Sequence, residues 1–501
     1  MLRLDPILSK SHSVWRRCSP TLEEQPVTVE NRTTGVRPES PKLRQSSIGA
    51  VGMIFMVVAA AAPLTAMASN LSLSLGLGAG RGTVGLLLAV GALLALFAVG
   101  YSVLSRYVTN AGAYYAFITF GLGRYCGAAA AFIATLVYNL AAGGMIAATG
   151  YFAGLTVTSS TGLSAPWYAY GLVALFIMWF LGIRGVDLAQ KVMTVVSLAQ
   201  FAVILLLAVV VLAENPGGWS PDVVAPRNVF HGNVALSLVF CVLSFAGFEA
   251  TADYGEEAKA GRRSIKIATY TALALLVGIF CFSTWSLVAA FDDVRAVAAK
   301  DPGSLFFAAA DQYLGGWSGS LLSAVVTFSF LASAVAFHNI ATRYMFALGR
   351  AGYLPKPLCK VHDRHGTPYL GSAAQTAVSV AMLVPFVLVG ADPISNLFPA
   401  VSGITSLSLL ALMTGCCVSV IAAALRGKVG ESRWETVAAP AVAGLGLLLT
   451  AAIVIMNYQA VTGSDSVIVA YMPVVPALAG VCGVAICRRK GEAALDEHLA
   501  G

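Results

Sequence analysis

The sequence predicts an all-α polytopic membrane protein of 12 transmembrane helices, and three observations carry that prediction. Its 501 residues are 58% hydrophobic and only 11% charged, with a mean hydropathy of +0.79, whereas soluble domains carry about 25% charged residues. Apolar blocks close to the roughly 20 residues needed to cross a bilayer recur along the whole chain. Positive charge also segregates. With the N-terminus placed inside, Arg81, Arg227, Arg295 and Lys300 are the only four of the 31 Lys and Arg that fall in outer loops. That skew is what the preference of Lys and Arg for the cytoplasm produces.

Taken in order, residues 1 to about 45 hold eight Lys or Arg, five acids and no sustained apolar run. This reads as a disordered cytoplasmic tail without a secretory signal. Spans are expected at about 48–76, 83–105, 125–156, 167–183, 188–212, 234–257, 266–291, 320–342, 369–390, 397–425, 436–457 and 467–487. The first ten helices make a core over 46–425. Helices eleven and twelve occupy 426–490, and 491–501 form a second cytoplasmic tail. Both termini then lie inside a cytoplasmic membrane, and missing or inventing one span in mid-chain destroys the charge skew. The net charge of +7 is accounted for by membrane orientation and predicts no nucleic-acid partner. Nine cysteines without a CxxC pair predict neither disulfides nor a metal site.

Two spans carry breaks. In the first, Pro63 sits inside an apolar run and is followed by Thr65, Ser69 and Asn70. Proline lacks a backbone donor and clashes with the preceding turn, so carbonyls around Val58 to Ala60 lose their helical partners. In the sixth, Ser244 to Glu249 combine a helix-weakening Gly247 with a carboxylate near the bilayer midplane. A charge near a helix centre costs roughly 2.5–3.5 kcal/mol, and such acids normally face a cavity or a partner. Glu249, Asp253 and Glu256 or Glu257 recur at helical spacing, predicting one acidic stripe from the midplane to the edge. Five helices separate the two breaks, the offset expected of inverted five-helix repeats whose discontinuous helices meet at a midplane site.

Three segments carry a family resemblance. FAGFEATADYGEEAKAGRRSIKIATY at 245–270, SRYVTNAGAYYAF at 105–117 and TRYMFALGRAGYLPKPLCKVHDRHGTPY at 342–369 are together similar to the amino acid, polyamine and organocation permeases. The match covers residues 48 to about 425. It implies a LeuT-like 5+5 inverted-repeat core with discontinuous helices 1 and 6, and secondary active uptake by alternating access. Where many members have a glycine-rich break in helix one that receives a substrate carboxylate, this chain has Ala59 to Thr65, with alanines and Pro63. Where proton-coupled members often have a helix-five lysine, alignment by eye places Ser197.

The resemblance implies substrate contacts at Ala60, Ala61, Ala62, Pro63 and Thr65 of helix one, at Tyr138 and Asn139 of helix three, and at Phe245, Ala246, Gly247, Phe248 and Glu249 of helix six. Coupling or gating is assigned to Glu249, Asp253, Ser197, Ser329 and Ser333. Glu249 either pairs with a substrate amine, carries a proton or braces the break. Asp253 is either functional or simply solvated. Glu256 and Glu257 read as helix-end charges facing Lys259, Arg262 or Arg263. Phe245 and Phe248 gate a cavity or merely pack. Ser329 and Ser333, with helix-one carbonyls, are the alternative sodium site. Ser402, Thr405 and Ser406 either line the cavity or serve helix packing.

The expected function is ion-coupled import of an amino acid or related small amine, with a proton favoured over sodium and no cofactor. A polyamine or ethanolamine-type permease and an amino acid exchanger are the alternatives. The expected partners are a small-molecule substrate and membrane lipid. No HExxH or GxSxG motif points to a membrane enzyme, and no pore-lining charge ring points to a channel.

Overall fold

The computed structural model describes residues 48–258, 262–462 and 467–490. The expected tails, and the charged residues 259–261, lie outside this range. Among the described residues the fold is helical throughout, apart from one isolated bridge between Ile48 and Ala258. Eleven helices are long and apolar enough to cross a membrane. In chain order they are Ala50–Leu77, Gly80–Tyr107, Arg124–Thr161, Trp167–Arg184, Asp187–Glu214, Val234–Ala252, Ser264–Ala290, Ser318–Arg350, Tyr369–Leu388, Phe398–Leu425 and Trp434–Met456, called here the first to eleventh spans. The chain is a multi-pass membrane protein.

The expected twelfth span is helical but interrupted. It consists of Val467–Tyr471 and a separate helix, Val474–Lys490. Pro473 and Pro476 explain the interruption, since proline cannot donate to the preceding turn. The longer piece has 17 residues and rises about 25 Å, short of the roughly 30 Å hydrocarbon core.

Burial separates the spans into inner and outer members. The first and sixth are 78% and 72% buried over their most apolar windows, whereas the fourth, fifth and ninth are 33%, 33% and 28% buried. Apolar periodicity cannot make this distinction, because a span facing lipid and a span facing protein are both hydrophobic. Small residues let the inner helices approach. A Cβ on Gly144 of the third span would lie 3.0 Å from Val401 of the tenth, the close contact that small residues permit between membrane helices.

The first span is broken as Pro63 predicts, and the residue that makes the bend is Ala62. It is the single non-glycine residue with positive φ among those described, at φ 44° and ψ 71°. A left-handed alanine costs about 1–2 kcal/mol and persists only where its surroundings hold it. The Val58 carbonyl keeps a partner, the Ala62 N–H at 3.0 Å, contrary to the expectation from proline alone. The Ala60 carbonyl does leave the helix and accepts from Ser333 Oγ at 2.9 Å.

The sixth span ends as an α-helix at Ser244 rather than near residue 257. Gly247 turns the backbone at φ 102°, and short 3-10 turns follow at Phe248–Ala252 and Gly255–Glu257. The predicted acidic stripe therefore does not exist. Once the chain leaves regular α geometry at Gly247, the continuous i,i+3 and i,i+4 register that a stripe requires is lost, and the four acids diverge to separate partners.

Candidate functional site

The two breaks touch. A Cβ placed on Gly247 would lie 2.8 Å from Ala60 Cβ and 3.1 Å from the Ala60 carbonyl carbon, so the sixth span approaches the first at a distance only glycine permits. Beside this contact lies a central cavity of about 60 Å³. Ala60, Ala61, Ala62 and Thr65 wall it from the first span, and Ala246 from the sixth. The third span presents Ala141 and Gly144, the eighth Phe337, and the tenth Ser402 and Thr405. Among the described residues no charged side chain lines it. A wider chamber of about 370 Å³ shares Ser69, Asn70, Leu243, Phe398 and Ser402 with it. That chamber is walled by Pro302 and Gly303, at the end of the bundle opposite Arg343 and Arg350.

Polar contacts fix the first-span break from two sides. Thr65 Oγ1 and Ser329 Oγ lie 3.1 Å apart, and Ser333 holds the Ala60 carbonyl. From the fifth span, Gln200 Oε1 accepts the Leu64 N–H at 3.3 Å, an amide that begins the short helix after the bend. Gln200 was not legible as a site residue. A glutamine within an apolar run is a signal of a buried partner, but nothing in its spacing names that partner. Ser197, one turn earlier, reaches the Phe55 carbonyl at 3.4 Å and does not line the cavity. Thr405 Oγ1 is buried in the cavity wall with no hydrogen-bond partner, so it is available to a bound molecule.

Several expected contacts lie elsewhere. Pro63 and Asn139 are absent from the cavity wall; Asn139 Nδ2 donates to the Thr135 carbonyl of its own helix at 2.7 Å. Phe245 packs edge-on against Phe280 with ring centroids 5.2 Å apart, and Phe248 against Phe97 at 5.8 Å. Phe337 and Phe398 face this cavity, while Phe245, Phe248, Glu249 and Ser406 line a smaller one beside it that shares Leu243 and Ala246. Glu249 is thus outside the wall of the central cavity. Its Oε1 accepts from the Tyr138 hydroxyl at 3.1 Å and its Oε2 from the Gly247 N–H at 2.9 Å. The carboxylate thus braces the turn that Gly247 makes, while Tyr101 donates to the Glu249 carbonyl at 2.7 Å.

Past Glu249 the bundle is closed by ionic contacts. Arg343 of the eighth span gives Nη2 and Nε to Glu257 Oε2 at 2.6 and 2.9 Å, and Nη1 to the Asn339 carbonyl at 2.9 Å. Its guanidinium also lies 4.5 Å from the centre of the Tyr254 ring. About two helical turns further along the eighth span, Arg350 Nη2 meets Glu256 Oε1 at 2.7 Å. The same Glu256 oxygen accepts the Ala111 N–H, and Asp253 Oδ1 accepts the Ala113 N–H. Ile48, at the start of the first span, donates to the Glu257 carbonyl. Glu256 and Glu257 therefore bind cations 94 and 86 residues away; Lys259 and the Arg262 and Arg263 side chains lie outside the described structure.

Comparison with known proteins agrees with this geometry. Residues 52–493 match the model of the amino acid permease family. The branched-chain amino acid permease BcaP of Bacillus subtilis is 24% identical over 302 residues, covering 56% of this chain and 63% of that protein. The low-affinity putrescine importer PlaP of Escherichia coli K12 is 26% identical over 259 residues, covering 49% and 55%. The chain thus spans less than two thirds of either relative. The crystal structure of MhsT in complex with L-phenylalanine superposes with a TM-score of 0.58 at 14% identity, over 81% of this chain and all of that one, which shows a shared fold. The chain belongs to the amino acid permease family.

Proposed function

We propose that the protein is a secondary transporter that imports a small, neutral amino acid across the cytoplasmic membrane, driven by a proton gradient. The observation that carries this reading is the uncharged cavity between two touching helix breaks. The helix ends at such breaks recognise the charged ends of a zwitterion without a fixed counter-charge, N-termini suiting a carboxylate and C-terminal ends an ammonium. The remaining wall is mostly aliphatic, phenyl and hydroxyl surface, with the Asn70 carboxamide and the Met145 thioether at its edge, which fits a short apolar side chain. A di-cationic amine requires an acid in that wall, and the nearest, Glu249, is occupied by Tyr138 and Gly247.

The basic end of the bundle, with Arg343 and Arg350, is taken as cytoplasmic on the positive-inside preference. The wider chamber then opens outward, and the Arg343–Glu257 and Arg350–Glu256 pairs close the inner path. Substrate enters from outside, settles between the breaks, and leaves when the turn at 247–258 parts from the eighth span. The five-plus-five repeat supplies the rocking movement in this account. Ser333 meets the Ala60 carbonyl and Ser329 meets Thr65, the grouping that the sodium alternative requires, so the coupling ion is decided by varying pH and sodium separately.

The test is uptake by proteoliposomes of L-alanine, L-valine, L-leucine, putrescine and ethanolamine, with pH and sodium varied separately. Accumulation of a neutral amino acid with an inward proton gradient is expected. Transport of the amines alone overturns the substrate class.

A further inference from the structure

We propose that Asp253, rather than Glu249, is the group that takes up and releases the coupling proton; the inference rests on the transport reading above. Three carboxyl side chains in the segment after the sixth-span bend are essentially buried: Glu249 and Asp253 at 1% exposure and Glu257 at 2%. Glu249 has a donor on each oxygen. Glu257 holds a guanidinium. Asp253 differs from both. Its Oδ1 accepts the Ala113 N–H at 3.2 Å, Oδ2 has no partner in good hydrogen-bond geometry, and the Tyr344 hydroxyl is the side-chain donor beside the carboxyl.

The surroundings offer that oxygen no compensating charge. Arg343, the cation in its field, already directs Nε and Nη2 to Glu257 and Nη1 to the Asn339 carbonyl. Glu249, on its own segment, has the same sign as Asp253. The other titratable groups that interact with it are Tyr254 beside it, Tyr101 of the second span, Tyr138 of the third, Tyr344 of the eighth and Cys416 of the tenth. All of these are neutral in the ordinary range. A carboxylate buried in such a shell, with neutral donors and no cation of its own, carries a desolvation penalty that a neutral carboxyl avoids.

The location couples this proton to the inner closure. Asp253 and Glu256 cover the amides of Ala113 and Ala111, at the start of the helix Ala113–Leu122. A charge on Asp253 needs water, and water reaches it from the inner end only if the turn at 247–258 moves away from that helix. One O–H bond forms when the proton is taken up in the outward-open state, and the same bond breaks when the proton passes to water at the inner end. Protonated Asp253 therefore goes with the closed inner face, and its release goes with opening.

The decisive experiment is infrared difference spectroscopy of the purified full-length protein in lipid nanodiscs across a pH titration, which needs no substrate. A titrating protonated-carboxyl band is expected in the wild type, lost in Asp253→Asn and kept in Glu249→Gln. Asp253→Glu, which keeps an acid, is expected to shift the band and gives the same decision if the asparagine variant does not fold. A wild type without the band, or a band kept in Asp253→Asn or lost in Glu249→Gln, overturns the assignment. In proteoliposomes, Asp253→Asn is expected to lose proton-driven accumulation of L-leucine relative to L-leucine exchange, and an unchanged ratio also overturns it. If the wild type carries no amino acid of the panel, the transport reading falls, while the infrared band still decides where the proton sits.

Discussion

Gly247 lies against Ala60 so closely that a methyl group on the glycine would sit 2.8 Å from the alanine Cβ. The contact joins the two places where the membrane helices lose their regular hydrogen bonds. Gly247→Ala therefore suffers twice, from a positive φ of 102° and from overlap with the first span. A loss of about 1–3 kcal/mol in stability is expected, together with loss of substrate-induced thermal stabilisation. A melting curve of the purified variant, with and without L-leucine, measures both. Wild-type melting and binding would remove the contact from the account.

Removing one member of the Arg343–Glu257 pair leaves the other buried without a partner, a change that typically costs about 3–5 kcal/mol. Glu257→Gln is predicted to destabilise the inner closure and to expose Cys416, which is 1% exposed, to thiol reagents. The measurement is Cys416 modification rate in a background in which Cys416 is the one cysteine kept of the nine. Arg343→Lys is not expected to rescue, because the guanidinium uses three nitrogens on two acceptors.

Gln200→Ala strips the Leu64 N–H of its partner inside the protein. Leaving a buried donor unsatisfied costs about 1–3 kcal/mol, and the freed amide sits at the bend that lines the cavity. The predicted outcome is a lower melting temperature and a raised KM for uptake. Gln200→Glu, which keeps an acceptor, is predicted to retain more of the first-span geometry than alanine does.

These residues show what was legible in the sequence and what was not. Pro63 and Gly247 announce the breaks because their backbone chemistry is local, and Glu249 announces itself because a carboxylate in an apolar run is costly. Ala62 does not, since its left-handed φ follows from Pro63 and from contacts with the fifth and eighth spans. The pairing of Glu256 and Glu257 with Arg350 and Arg343 was hidden for the same reason. Helical spacing assigned these acids to one stripe, but Gly247 ends the α-helix that a stripe requires. Burial was likewise illegible for Phe245 and Phe248, because an aromatic in a span reads alike whether it packs or lines a cavity.

Proton coupling predicts a defined ion dependence. Replacing sodium by potassium on both sides should leave uptake unchanged, and a proton uncoupler should abolish accumulation. Ser333→Ala, which frees the Ala60 carbonyl, should impair uptake without creating a sodium requirement. Sodium-dependent, uncoupler-resistant accumulation by the wild type would reverse the assignment.

The central claim is that the cavity between the two breaks is where substrate sits. Its most direct measurement is thermal stabilisation of the purified protein by L-alanine, L-valine and L-leucine, repeated with Ala246→Phe, which fills the cavity from the sixth span. The account predicts stabilisation of the wild type by at least one of these amino acids and none in a folded Ala246→Phe protein. Undiminished stabilisation of that variant would place the substrate elsewhere and contradict the account.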